Sequence, residues 1–187
     1  MIRLGLDFDN TIISYEDIFH RVATERNLIP QNFPIKKKLI RDYLISRDLE
    51  GEFTEMQSEI YGKRILEANP TDGCIEYLKK IRKNIELFIV SHKTKYPYKG
   101  PKYDLHNAAN KWLLKNCFFD KDVLGFSRDK IYFEQSKENK VNKIKELKCT
   151  HYIDDLPEIL ELIDFECTKI LYDPQKIYEQ KNNFHRI

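Results

Sequence analysis

Five short apolar runs, separated by helix-length segments, constrain this chain more than any other feature of its sequence. The runs are rich in Ile, Leu, Val, Phe and Tyr, and they span residues 2–8, 85–91, 130–134, 150–154 and 168–172. Such continuous apolar character is typical of strands that helices bury on both faces. Because these strands alternate with helical segments, the sequence predicts an α/β fold with a largely parallel sheet.

The first two predicted strands lie roughly seventy residues apart, although a crossover between parallel strands needs only about a dozen. Apolar residues at helical spacing predict four helices in this gap, at residues 15–27, 34–48, 52–68 and 71–84. The last of them returns the chain to the sheet. We therefore predict an α/β core of residues 1–13 and 70–187, with a helical cap of residues 14–69 inserted into it.

Composition narrows the class of protein. With 187 residues, 41% hydrophobic and 33% charged, the chain suits a globular protein with a sizeable core. Its net charge is only +2 and its basic residues are spread along helix-like segments, so we expect no nucleic-acid partner. No apolar run is long enough for a bilayer, so we expect no membrane association.

The four cysteines stand at positions 74, 117, 149 and 167, without CxxC pairing or histidine partners at metal-binding spacing. We expect buried, reduced thiols in a cytoplasmic protein. The polar segment after Asp173 indicates a short helix or a frayed end.

Polar side chains stand where the predicted strands end. Acidic residues follow the first and fourth strands, a serine ends the second, and a lysine opens the helix after the third: Asp7, Asp9, Ser91, Lys140, Asp154 and Asp155. The carboxyl ends of parallel strands line the ligand crevice of an α/β sheet. We therefore expect these six side chains to meet in one site.

These residue types together indicate phosphoryl chemistry. Crowded carboxylates favour a hard cation with oxygen ligands, and Mg²⁺ is usual where phosphate is handled. A lysine and a serine hydroxyl can hold phosphoryl oxygens. One carboxylate can then attack phosphorus and form an aspartyl-phosphate, while its neighbour moves a proton.

Four segments resemble the motifs of the haloacid dehalogenase (HAD) superfamily in order and spacing: DFDNT (7–11), IVSHK (89–93), ENKVNKIKEL (138–147) and YIDDLPEI (152–159). Most members of this superfamily are phosphatases, and the helical insert is similar to its first class of cap. The resemblance implies a Rossmann-like, doubly wound parallel sheet with an inserted α-helical cap. It also implies a Mg²⁺-dependent phosphomonoester hydrolase acting on a small phosphorylated metabolite, either a sugar phosphate or a nucleotide.

Carried over residue by residue, the resemblance gives each candidate a role. Asp7 is the expected nucleophile and Asp9 the expected general acid/base. The expected phosphate-binding residues are Asn10, Thr11, Ser91, His92 and Lys140. The expected metal ligands are Asp7, Asp9 through its backbone carbonyl, Asp154 and Asp155, with either member of the last pair as the direct ligand.

The lysine assignment has an alternative, because Lys137 lies three residues upstream and can reach the same place. We favour Lys140, which stands at the start of the periodic helix with Asn139 as a good N-cap. Asn10 stands where glycine is the commonest residue of the superfamily, and asparagine tolerates positive φ.

Residues 92–112 follow the proposed Ser91 directly and hold several lysines, three tyrosines and two prolines. Proline and glycine exclude a regular helix here until about Asp104. We hypothesise that His92 and Lys93 help to bind the phosphorylated substrate and that the tyrosines shape the mouth of the pocket.

Two other functions stay open at this stage. One is a phosphotransferase with an acceptor other than water, and the other is a non-catalytic binding module of the same fold. The presence of both Asp7 and Asp9 favours an enzyme. The sequence leaves the substrate, the pathway and the oligomeric state open.

Overall fold

The computed structural model describes residues 1–178 and 184–187. They divide into two compact units, the first formed by Met1–Ile13, Pro70–Thr94 and Cys117–Ile187, and the second by Ser14–Asn69 and Lys95–Asn116. The predicted insertion, residues 14–69, lies in the second unit. That unit also includes residues 95–116, which the predicted boundaries assigned to the core.

The elements follow one another as β1 (Ile2–Leu6), β2 (Ile13–Ser14), α1 (Glu16–Glu25), α2 (Lys37–Ile45), α3 (Glu50–Tyr61), β3 (Asn69–Pro70), α4 (Cys74–Ile81), β4 (Ile85–His92), α5 (Leu105–Lys115), β5 (Ile131–Glu134), α6 (Lys137–Glu146), β6 (His151–Asp154), α7 (Pro157–Leu162), β7 (Thr168–Leu171) and β8 (His185–Arg186). Two 3-10 turns, Ile65–Glu67 and Arg128–Lys130, complete the order. The five predicted strands are confirmed to within one or two residues at each end.

The first unit is built on a six-stranded sheet with the order β5-β4-β1-β6-β7-β8. Every pairing in it is parallel, so the predicted α/β, Rossmann-like class is confirmed. The strand β8 was missed, because a polar two-residue strand at a sheet edge gives no apolar signal. Residues 179–183, which belong to the predicted short helix or frayed end, lie outside the described residues.

The strand order places a topological switch point beside β1. From β1 the chain builds the sheet outward through β4 and β5, and later builds it in the opposite direction through β6, β7 and β8. Leu6 pairs with Ile89 on one side and with Ile153 on the other. The carboxyl ends of β1, β4 and β6 therefore lie side by side, which is where ligands bind in open α/β sheets.

A core of buried apolar side chains packs α6 and α7 onto this sheet. Val141 and Ile144 of α6, together with Ile159 and Leu160 of α7, pack in one cluster with strand residues such as Val90. Tyr152 of β6 is fully buried in the same cluster, and its hydroxyl donates a hydrogen bond of 2.6 Å to the carbonyl oxygen of Val90. This bond satisfies the phenol inside the core.

The second unit is helical and has its own aromatic core. Phe19 of α1 stacks on Phe53 of α3, with ring centroids 5.3 Å apart, and Tyr15 packs against Tyr61 at 4.5 Å. The fully buried Trp112 of α5 donates from Nε1 to the carbonyl oxygen of Ala68 at 2.8 Å. Asp104 caps α5 by accepting from the N–H of Asn107, so the predicted start of that helix is confirmed.

All four cysteines are free thiols, as expected. Cys149 is buried, but the prediction of burial is wrong for Cys117, which is exposed. Cys117 has a φ of 61° just after α5, where the chain turns away from the helix. Among the described residues, no helix has both the length and the apolar character to cross a membrane.

Gly5 gives a test of how the sheet packs. A Cβ on Gly5 would lie 2.7 Å from Cδ2 of the buried Tyr152 and 3.2 Å from Sγ of Cys149. We predict that Gly5→Ala lowers the free energy of unfolding by about 1–3 kcal/mol through overpacking. Gly51→Ala in α3 is the matched control, because the Cβ there meets only the mobile end of Lys99. Urea unfolding measures both, and equal stabilities would contradict the packing described.

Candidate active site

Two buried carboxylates from neighbouring strands share one buried lysine. Asp7 directly follows β1, and its N–H donates to the carbonyl oxygen of Ile153 at 2.9 Å. Lys140 Nζ lies 2.6 Å from Asp7 Oδ1 and 2.7 Å from Asp154 Oδ2. All three residues are buried. One ammonium therefore faces two carboxyl groups inside the protein.

The helix that supplies Lys140 begins earlier than predicted. Ser136, not Asn139, is the N-cap of α6, since its hydroxyl accepts from the N–H of Asn139 and its backbone is extended. The prediction of Asn139 as the cap is wrong because Ser136 is an equally good capping residue one turn earlier. Lys140 thus lies one turn inside the helix, where its side chain is buried against the sheet.

Lys137, the alternative lysine, lies elsewhere. It is the first residue of α6, it is exposed, and its Nζ lies 2.6 Å from Glu158 Oε1. Of the two candidate lysines, Lys140 is the one that contacts Asp7.

The loop after β1 is fixed by backbone hydrogen bonds. Ile12 and Ile13 both donate from N–H to the carbonyl oxygen of Phe8 at 3.1 Å, and Thr71 Oγ1 donates to the carbonyl oxygen of Thr11 at 2.6 Å. Asn10 has a φ of 58°, the positive value that asparagine tolerates. These bonds hold the segment from Asp7 to Ile13 in one conformation.

Asp9 is paired with a lysine that the sequence had linked to the substrate. Lys93 Nζ lies 2.8 Å from both Oδ1 and Oδ2 of Asp9. The side chain of Lys93 is 2% exposed and that of Asp9 is 18% exposed. In this structure Lys93 contacts the expected general acid/base, and its expected part in substrate binding stays a prediction.

Three buried hydroxyls lack hydrogen-bond partners among the described residues. They are Ser91 Oγ in β4, Thr11 Oγ1 in the loop after β1, and Ser58 Oγ in α3 of the second unit. An unsatisfied buried hydroxyl costs about 1–3 kcal/mol. Ser91 and Thr11 belong to the expected phosphate-binding set, and their hydroxyls can donate to a ligand with acceptor oxygens.

Three carboxylates of the site can reach one metal ion. Asp7, Asp154 and Asp155 each offer an oxygen, and these oxygens lie within 4.8 Å of one another. Asp155 Oδ2 also accepts from Asn10 Nδ2 at 3.2 Å, and Asp154 Oδ1 accepts from the N–H of Leu156 at 3.0 Å. An all-oxygen donor set with excess negative charge fits a hard divalent cation such as Mg²⁺.

The residues after Ser91 belong partly to the first unit and partly to the second. His92 ends β4 and is half-buried, and burial, with a further contribution from Lys140, lowers the pKa of its imidazole. Tyr96 and Tyr98 are exposed in the second unit, and Tyr98 retains 89% of its accessible surface. Their predicted part in shaping a pocket stays a prediction.

Burial raises the pKa of the Asp7 carboxyl to about 7. Lys140 opposes this rise, whereas Asp154 and Asp9 add to it. Burial also acts to lower the pKa of Lys140, but Asp7 and Asp154 outweigh it and raise that pKa above its ordinary value. Burial is therefore the main cause of the raised pKa of Asp7, and the single ammonium of Lys140, which Asp154 shares, does not offset it.

The role of Lys93 is what sequence reasoning missed. A signal was present, because Lys93 follows Ser91 by two residues, and alternate residues of an extended chain share a face. The acidic partner lies more than eighty residues away in the chain, and only the pairing of strands brings it near.

The chain is similar over nearly its whole length to several known proteins. The "Putative nucleotidase OB0422" of Oceanobacillus iheyensis is 27% identical over 195 residues, which cover 100% of this chain and 94% of that protein. A haloacid dehalogenase-like family hydrolase, SP0104 from Streptococcus pneumoniae, superposes with a TM-score of 0.59 at 15% identity, covering 92% of this chain and 85% of its own. No protein-family model matches the chain.

A magnesium-bound structure is also similar. It is the HAD-hydrolase YfnB from Bacillus subtilis, with a TM-score of 0.55 and 14% identity, and the match covers 100% of this chain and 94% of the other. At such identities the likeness establishes the fold of the chain.

The raised pKa of Asp7 predicts how stability depends on pH in the metal-free protein. The folded state holds a proton on Asp7 up to about pH 7, whereas the ordinary carboxyl value is 3.8. The contribution of this proton to the free energy of unfolding is complete below pH 3.8, the ordinary pKa, and is lost as the pH rises to about 7. Relative to Asp7→Asn, the free energy of unfolding of the unmodified protein should fall with a slope of up to about 1.4 kcal/mol per pH unit.

Urea unfolding of both proteins in EDTA, at intervals between pH 4.5 and 8, measures this difference. The residues that titrate away from Asp7, and so alike in both proteins, cancel in the comparison. A difference that does not change with pH would mean that Asp7 is ionised throughout, and would contradict the prediction.

Proposed function

We propose that this chain, which has the fold of the haloacid dehalogenase superfamily, is a Mg²⁺-dependent phosphomonoester hydrolase that works through an aspartyl-phosphate on Asp7. One observation carries the proposal: the buried group of Asp7, Lys140 and Asp154 lies at the carboxyl ends of β1 and β6, the switch point of the sheet. Ligands bind at this place in open α/β sheets.

Asp7 is the nucleophile of the proposed reaction. A carboxylate oxygen of Asp7 attacks phosphorus, a phosphorus–oxygen bond to Asp7 forms, and the bond to the leaving oxygen breaks. Lys140 faces this carboxylate at 2.6 Å, so its positive charge lowers the repulsion between the nucleophile and the phosphate.

Asp9 moves the protons of both half-reactions. It gives a proton to the leaving oxygen as the first bond breaks, and then takes a proton from the water that attacks the aspartyl-phosphate. The second step releases inorganic phosphate and restores the Asp7 carboxylate. Ser91 and Thr11 donate hydrogen bonds to the oxygens of the phosphoryl group. Their hydroxyls lack partners among the described residues.

Asp7, Asp154 and Asp155 are the residues that would hold Mg²⁺, since their oxygens lie within 4.8 Å of one another. When bound, the cation neutralises charge on the phosphoryl oxygens. The magnesium-bound structure of YfnB supports this assignment by likeness of fold.

A nucleotide is the substrate class that we place first, with sugar phosphates second. The name of the 27% identical relative describes a nucleotidase and supports this order, because the alignment covers both chains almost entirely.

Phosphate release by the purified protein tests the function. The panel contains nucleoside monophosphates, sugar phosphates and p-nitrophenyl phosphate, each with Mg²⁺ and with EDTA. We expect turnover that needs the cation, that falls at least about a thousandfold in Asp7→Asn, and that falls about 10²–10⁴-fold in Asp9→Asn.

Lys137→Met is the matched control, because Lys137 is exposed and paired with Glu158 instead. It should retain activity where Lys140→Met loses it. Turnover that persists in Asp7→Asn, or that ignores EDTA, would contradict the proposed chemistry.

Ser91 supplies a second prediction, in which activity and stability change in opposite directions. Ser91→Ala removes a buried hydroxyl that lacks a partner, so the ligand-free protein should keep its stability or gain up to about 1 kcal/mol. The same change removes a donor to the phosphoryl group, so kcat/KM should fall about 10–100-fold. Thermal unfolding and steady-state kinetics measure the two effects, and a large loss of stability would show that Ser91 has a structural partner.

A further inference from the structure

Lys93 contacts both carboxylate oxygens of one residue, Asp9, whereas Lys140 contacts one oxygen each of Asp7 and Asp154. Nζ of Lys93 lies at the same distance, 2.8 Å, from both oxygens of Asp9. Its side chain is almost fully buried, while Asp9 is partly exposed. One lysine therefore holds the whole carboxylate of Asp9 from its buried side.

The position of Lys93 is fixed by the sheet. Its N–H donates to the carbonyl oxygen of Glu134 at 2.8 Å, which continues the pairing of β4 with β5 past the end of β4. Its ammonium lies 5.4 Å from the ring centroid of Phe8, and Phe8 packs edge-on against Phe133 of β5 at 5.7 Å. Two neighbouring strands thus determine where Nζ lies.

Fold stability alone does not account for this pair. Burying a lysine is costly, and a buried ion pair contributes little more to stability than apolar side chains of equal volume. Asp9, by contrast, is partly exposed and lies in the loop after β1. A fixed ammonium that contacts both of its carboxylate oxygens restricts the side-chain torsions of Asp9.

We propose that Lys93 is a positioning residue for Asp9. It holds the Asp9 carboxylate in the orientation from which that group exchanges a proton with the leaving oxygen. Lys93 itself transfers no proton and contacts no substrate. The inference rests on the proposed function, in which Asp9 is the general acid.

Substrates with different leaving groups distinguish a positioning role of Lys93 from a role in substrate binding. p-Nitrophenolate leaves with little need of a proton, whereas the alkoxide of a nucleotide or sugar phosphate needs one. Loss of an oriented general acid should therefore slow the alkyl phosphate much more than p-nitrophenyl phosphate. A lost substrate contact would instead raise KM for both.

Lys93→Met, which keeps the aliphatic stem, is the test variant, and the exposed Lys95→Met in the same segment is the control. On the best alkyl phosphate we expect kcat/KM, which covers the steps up to release of the leaving group, to fall about a hundredfold, against less than about tenfold on p-nitrophenyl phosphate. KM for the alkyl phosphate should change less than about threefold, and Lys95→Met should behave like the unmodified protein.

The double variant Lys93→Met with Asp9→Asn gives the second readout. If Lys93 acts only through Asp9, its loss should cost nothing further once the Asp9 carboxylate is gone. Lys93→Gln, which keeps one donor, should give an intermediate kcat and serves in place of Lys93→Met if that variant unfolds. Thermal unfolding of every variant accompanies the kinetics.

Three results would overturn the inference while leaving the proposed function in place: equal losses of kcat/KM on both substrates, a rise in KM with unchanged kcat, or additive losses in the double variant. Absence of phosphate release by the unmodified protein on every substrate would overturn the proposed function, and the inference with it.

Discussion

Lys140 is shared between Asp7 and Asp154, and the rest of the site depends on that sharing. The two carboxylates come from adjacent strands, and the lysine comes from the helix that covers them. Burial raises the pKa of Asp7 to about 7, Asp154 adds to the rise, and the single charge of Lys140 does not offset it. In the proposed function, a divalent cation would supply the missing positive charge.

Several groups near the proposed nucleophile are unfavourable for the stability of the fold. Ser91 and Thr11 keep buried hydroxyls without partners in the described part of the chain, and Lys93 is a buried cation that contacts Asp9. Each arrangement is unfavourable in isolation. In an enzyme such groups are already oriented before the substrate arrives, so the reaction itself needs little reorganisation.

Much of the core could be predicted from the sequence, because its signals are local. A strand buried on both faces must be apolar along its length, which is why the runs ending at Asp7, Ser91 and Asp154 were recognisable. Helix ends were less accurate, since capping residues compete: Ser136 and Asn139 both suit an N-cap, and the chain uses Ser136. The short strand β8 has too few residues to produce a pattern.

The sequence by itself determined the class of fold and the chemical types gathered at one edge of the sheet, because apolar periodicity and polar strand ends are properties of neighbouring residues. Only the tertiary structure decided which groups meet. In the folded protein Lys140 contacts two aspartates, Lys137 pairs with Glu158, and Lys93 pairs with Asp9. The physical reason is that charge pairing depends on distance in space, and separations along the chain, such as 21 residues for Lys137 and Glu158 or 133 for Lys140 and Asp7, carry no information about that distance until the strands and helices pack.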